Sequence, residues 1–115
     1  MQSKAWLLSL GSLVLVCQAA FAEGDVARGQ KVFKKADCVE CHAKGGNEVN
    51  PRKPIKGAEF AEEFKDDKVL EAKIRTGVTG TPMRGFSEKK ISQADMCDLI
   101  AYIRSLTPKT ENAGK

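Results

Sequence analysis

Cys38-Val39-Glu40-Cys41-His42 is the stretch on which the reading of this 115-residue chain turns. Two thiols at this spacing lie on one side of a helical turn, and an imidazole follows directly. A dithiol redox centre would need a βαβ setting, which the surrounding pattern lacks. A zinc site would need a fourth ligand. Cys97 is nominally available, but adjacent ligands such as Cys41 and His42 strain a shared tetrahedron. The C-x-x-C-H spacing matches covalent attachment of c-type haem instead. Both thiols reach the two vinyl groups of one porphyrin and form thioethers, and the next side chain points its imidazole at the iron. Cys38 and Cys41 are therefore the candidate attachment residues, and His42 is a candidate axial ligand.

The segment before the motif agrees with this chemistry. Lys4 gives a positive start, an apolar run follows from Ala5 to Cys17, and Ala20-Phe21-Ala22 has the small-x-small form that a signal peptidase reads. The run falls short of the ~20 apolar residues of a membrane span, so residues 1–22 read as a cleaved export signal rather than an uncleaved anchor. A lipoprotein site at Cys17 is disfavoured because Val16 precedes it. Attachment of c-type haem takes place outside the cytoplasm, so signal and motif support each other. The expected location is the periplasm, since the short signal fits a bacterium.

Cleavage removes Cys17 and leaves Cys38, Cys41 and Cys97, an odd number that argues against a disulfide scaffold. A domain this small buries a thin core, and a covalent cofactor enlarges it. The expected organisation is a haem domain over 23–108 and a flexible polar tail over 109–115. The net charge of +4 falls by one with Lys4. The lysines are spread along the chain, with one Tyr and no mature Trp to stack on bases, so nucleic acid is not an expected partner.

Helical signals dominate, with no strand pattern and no internal repeat. Gly24 or Asp25 caps a first helix to about Ala36, with Val26, Gly29, Val32 and Phe33 on one stripe. Gly29 costs about 1 kcal/mol there relative to Ala, which points to another backbone passing close by. Cys38 to about Gly57 reads as loop: Gly45-Gly46-Asn47 and Asn50-Pro51 are turn chemistry, and Pro51 and Pro54 forbid a regular helix. A short helix is expected from Ala58 to Phe64. Another begins near Asp66-Asp67, carries Val69, Leu70 and Ile74, and ends at Gly77. A loop over 77–88 leads to the last helix. Ser92 is its N-cap with Asp95 three residues on, and Ile91 is placed to staple onto Met96. Met96, Leu99, Ile100, Ile103 and Leu106 share one face, and Pro108 is the stop.

His42 is the sole histidine, so a second axial ligand within one chain must come from Met83, Met96 or Cys97. Met96 sits mid-stripe, where methionine usually fills core. Met83 lies in a Gly/Pro loop that can deliver a thioether to the iron, and is the candidate axial ligand. The alternative leaves Met83 on the surface and the iron five-coordinate. Cys97 lies at the stripe's edge and reads as a half-buried thiol, with a disulfide to a partner chain or thiolate ligation as lesser options.

Taken in order, the early helix with Gly29 and Phe33, the Cys38–His42 motif, the Thr81-Pro82-Met83 loop and the closing Asp98–Leu106 helix resemble class I monohaem cytochromes c over nearly the whole mature chain. The resemblance implies an all-α small cytochrome c fold, about four helices wrapped around one covalently bound haem c. It implies that first and last helices cross at Gly29 with Phe33 and Tyr102 packed there. It further implies that a proline carbonyl, Pro54 or secondly Pro51, accepts the Nδ1 proton of His42. The family's methionine loop often reads P-M-P. Here Arg84 follows Met83 and puts a positive charge beside the haem, which favours reduced iron.

The expected function is one-electron transfer, since His/Met ligation favours Fe(II) and leaves no open iron site. The chain has no Ser/His/Asp set and no spare histidine to act as a base, so no enzyme is expected. Glu59, Glu62, Glu63, Asp66 and Asp67 read as a solvated helical face. The expected partners are redox proteins with an acidic docking patch, steered by Lys34, Lys35, Lys44 and Arg84. The protein would be a monomer or a heterodimer subunit, without a stable membrane span after cleavage. The rival reading is a haem c subunit or gas-binding module of a larger redox complex.

Overall fold

Asp25 opens the first helix, α1 (Val26–Lys35), by accepting from the Arg28 backbone N–H at 2.8 Å. This satisfies one of the donors that every helix start leaves free. Lys34 and Lys35 in the last turn suit the negative end of the helix dipole. The computed structural model describes residues 24–109. The export signal expected over 1–22, and all of the expected polar tail beyond Lys109, lie outside the described residues.

The chain turns at Asp37, which has a left-handed φ of 62°, a conformation Asp tolerates better than most residues. It then re-enters helix as α2 (Cys38–His42), followed by a 3-10 turn over Ala43–Gly45. This corrects the expected loop: the motif is itself a helical turn, and irregular backbone begins after it. Further on, α3 (Ala58–Glu63) and α4 (Asp67–Thr76) match the expected helices, with Asp66 capping α4 through the Lys68 N–H at 2.9 Å. The last helix, α5 (Gln93–Ser105), is capped by Ser92, whose Oγ accepts from the Asp95 N–H at 3.1 Å. It ends ahead of Pro108, whose ring disfavours helix at the residue before it. Among the described residues there is no strand. The four expected helices are thus α1, α3, α4 and α5, and α2 is the added turn that carries the motif.

α1 and α5 make the most extensive helix–helix contact. Phe33 meets Tyr102 edge-on, with ring centroids 5.1 Å apart and planes at 63°, the arrangement that ring quadrupoles prefer. Behind this crossing lie Ile91, Met96, Leu99, Ile100 and Ile103 of the α5 region, with Leu70 and Ile74 of α4. Two expected core positions are corrected. Val26 is 46% exposed and Val69 48%, because Val26 sits on the edge of its stripe in the first turn and Val69 points away from the face shared by Leu70 and Ile74.

Two arginines tie loops to helices. Arg104 of α5 donates to the Phe64 carbonyl and to Asp67 Oδ1, the latter at 2.7 Å, and so pins α5 to the α3–α4 junction. Asp67 is therefore half-buried and paired rather than part of a freely solvated acidic face. Arg75 of α4 reaches the carbonyls of Phe86 and Ile91.

Candidate functional site

One face of the core opens into a cleft of about 1160 Å³, larger than the ~300–1,000 Å³ usual for small-molecule sites. Phe33, Phe60, Leu70, Ile74, Leu99 and Ile103 form its apolar wall. Cys38, Cys41, His42 and Met83 all lie in its lining. Two thiols, one imidazole and one thioether around a large apolar cleft suit a big planar cofactor that is tethered covalently and ligated through iron. The fit with haem is thus carried by the donor set and the size of the cradle.

The imidazole of His42 is oriented by its neighbours. Its Nδ1 lies 2.8 Å from the Gly46 carbonyl oxygen. A carbonyl only accepts, so Nδ1 donates and holds the proton, and Nε2 keeps the lone pair. That is the tautomer a metal-ligating histidine needs, and such a second bond also raises the ligand's basicity. The acceptor corrects the expectation of Pro54 or Pro51. The 3-10 turn at Ala43–Gly45 folds the chain back at once and brings the Gly46 carbonyl within hydrogen-bonding distance of Nδ1. Pro54 lines the cleft, whereas Pro51 is exposed and away from it.

Met83 arrives from the α4–α5 connection, which is closed on itself. The Val78 N–H donates to the Met83 carbonyl at 3.0 Å, and Thr81 Oγ1 accepts from the Met83 N–H at 3.2 Å while donating to the Val78 carbonyl at 2.8 Å. Gly77 permits the closure: its φ is 73°, and a Cβ there would lie 2.6 Å from the Met83 oxygen. The other two soft side chains do not reach the cleft. Met96 is fully buried in the core, as its place in the stripe implies, and Cys97 is half-buried at the rim; neither is in the lining.

Burial pushes the Cys38 thiol up to about 11, with the Asp37 carboxylate adding to the effect and the Cys38 backbone N–H opposing it. The thiol is therefore protonated at neutral pH. Among the described residues, Cys38 and Cys41 are the free thiols.

Residues 26–107 match the sequence model of cytochrome c. The chain belongs to the cytochrome c family. Its relatives within that family include cytochrome c6 of Synechocystis sp., 34% identical over 98 residues that cover 84% of this chain and 78% of that one. Cytochrome c6 of Picosynechococcus sp. is 35% identical over 107 residues, covering 84% and 90%. Among solved structures, cytochrome c6 from the diatom Phaeodactylum tricornutum superposes with a TM-score of 0.58 at 25% identity, over 80% of this chain and all of that one. As a cytochrome c, the protein binds one haem c covalently and works as an electron carrier, in the all-α fold expected above.

Some of what shapes the site was not visible in the sequence. The Gly46 carbonyl carries no side-chain signal at all. Arg75 looks like an ordinary basic residue near a helix end. Thr107, whose Oγ1 accepts from the Gly57 N–H at 2.9 Å across the chain, looks like a polar residue before a proline. Of the docking lysines, Lys35 and Arg84 line the cleft, whereas Lys34 and Lys44 do not.

Proposed function

We propose that this cytochrome c is an exported, periplasmic one-electron carrier, made by cleavage of residues 1–22 and bearing its haem on thioethers from Cys38 and Cys41. His42 and Met83 would hold its iron. The observation that carries the reading is the Nδ1 bond of His42 to Gly46, which leaves Nε2 as a lone-pair donor in the same cleft that Met83 lines.

When bound, haem c supplies a one-electron Fe(III)/Fe(II) couple. The chain's own residues set the conditions for it. The apolar wall keeps water away and disfavours the extra charge of the oxidised state, and Arg84 beside Met83 acts in the same direction. The hydrogen bonds that close the Met83 loop hold the methionine's backbone in one shape, which supports a carrier over the gas-binding reading. Among the described residues, seven basic and five acidic side chains border the cleft, so its lining is mildly basic and suits a redox partner with an acidic patch. Salt should therefore slow reduction by such a partner, though gently.

The test is an optical spectrum of the exported protein, oxidised and then reduced. A weak sulfur-to-iron band in the red that Met83→Ala abolishes supports the His/Met carrier. Bound haem without that band means a five-coordinate iron or another ligand, and the carrier reading falls in favour of ligand binding.

A further inference from the structure

Arg75 is a half-buried cation that the electron-carrier reading does not use. It sits in the last turn of α4, with its side chain 18% exposed. One nitrogen, Nη1, donates to two carbonyls: Phe86 at 3.2 Å and Ile91 at 2.6 Å. Nη2 makes no hydrogen bond among the described residues. Glu71 balances the charge from 4.0 Å, which is too far for a hydrogen bond. The close partners of the guanidinium are thus two backbone oxygens, and both belong to the segment that returns from Met83 to α5. Phe86 is also held from the other side, its N–H donating to the Ile74 carbonyl at 3.1 Å. Ile91 directly precedes the N-cap of α5 and is buried.

We propose that Arg75 is a positioning residue for Met83, clamping the return of the methionine loop onto the end of α4 so that the thioether stays presented to the cleft. The proposal rests on Met83 being the axial ligand. A loop closed only by its own bonds can still swing as a unit about its ends. The Val78–Met83 and Thr81 bonds give the loop its shape, and Arg75 together with the Phe86–Ile74 bond fixes that shape against the helix. Arginine suits this task because its planar fork is always charged and spreads several donors in fixed directions. Buried hydrogen bonds from a charged donor are among the stronger ones.

Arg104 supplies an internal control, since it makes the same kind of clamp at the α3–α4 junction, away from the Met83 loop. The experiment compares holoprotein of wild type, Arg75→Met, Arg75→Lys, Arg104→Met and Met83→Ala. Three readouts are followed: the red sulfur-to-iron band, the rate at which the reduced protein takes up carbon monoxide, and hydrogen exchange at the Phe86 amide. Losing one such buried bond shifts a local opening equilibrium by roughly tenfold. Arg75→Met should therefore speed carbon monoxide uptake and Phe86 amide exchange by about that factor, and weaken the band. Arg75→Lys should recover part of each, because an ammonium also has enough donors for two carbonyls. Arg104→Met should lower the unfolding midpoint and keep the band. If Arg75→Met keeps the full band and wild-type exchange, or if Arg104→Met loses the band equally, the proposal is overturned while Met83 ligation stands. If the wild type lacks the band or Met83→Ala retains it, the ligand reading fails first and takes the clamp with it. Should Arg75→Met not fold, Arg75→Lys carries the test: wild-type band, uptake and exchange together with a lowered midpoint would overturn the clamp.

Discussion

Gly29 of α1 lies so close to Asp98 of α5 that a Cβ at position 29 would sit 1.9 Å from the Asp98 carbonyl oxygen. Backbone meets backbone there, and no rotamer change relieves the overlap. Alanine would gain about 1 kcal/mol of helix propensity, but forcing extra volume into a packed contact costs typically 1–3 kcal/mol or more. Gly29→Ala is therefore expected to destabilise the holoprotein, by about 2 kcal/mol in chemical denaturation. Stability equal to or above wild type would mean that the helices separate freely at this point.

The Asp98 side chain works at the same crossing. It accepts from the Asp25 backbone N–H at 2.7 Å and from Arg28 Nε at 3.1 Å. Burial alone would raise its pKa, yet these two donors and the Arg28 charge hold it below the usual carboxylate range. A lowered folded-state pKa contributes stability above the unfolded value of about 3.9, and that contribution is lost as pH falls through the folded pKa. Asp98→Asn should therefore be less stable than wild type at pH 7, and the difference should narrow as the pH drops below about 4. Thermal melts across pH 2–7 measure this, and a constant difference over the whole range would count against the linkage.

Thr107, buried at 6% exposure, holds the Gly57 N–H at the start of α3 from fifty residues away. Valine has the same shape but cannot accept, so Thr107→Val leaves a part-buried donor unmet, at a cost of about 1–3 kcal/mol. The expected result is a lower unfolding midpoint with faster exchange at the Gly57 amide. A lowered midpoint with unchanged Gly57 exchange would place the loss elsewhere.

Much of this architecture could be read in advance, and the reasons are local. Ser92 and Asp95 three residues apart declare the start of α5, and Asp66 declares α4, because a cap is a contact between near neighbours in the chain. Leu70 and Ile74 recur at helical spacing because the same face must meet the core. The crossing at Gly29 was legible because a glycine in a helix is costly without a close neighbour. The motif residues were legible because two thiols and an imidazole at that spacing have few chemical uses. Val26 and Val69 misled because periodicity marks a face without saying how far the partner helix covers it.

By itself the sequence determined four of the five α-helices, the start of the last of them, the identity of the thiols and imidazole, and the family to which the chain belongs, since each depends on residues within a few positions of one another or on their order. Only the tertiary structure decided which atoms finish the site. The Gly46 carbonyl accepts the hydrogen bond from His42 Nδ1 because the 3-10 turn after the motif folds back at once, which no proline spacing reveals. Arg75 meets Phe86 and Ile91, and Arg104 meets Phe64 and Asp67, because helix packing brings those carbonyls within reach of long side chains. Backbone oxygens carry no sequence identity, so a bond to one is settled only when the chain has folded around it.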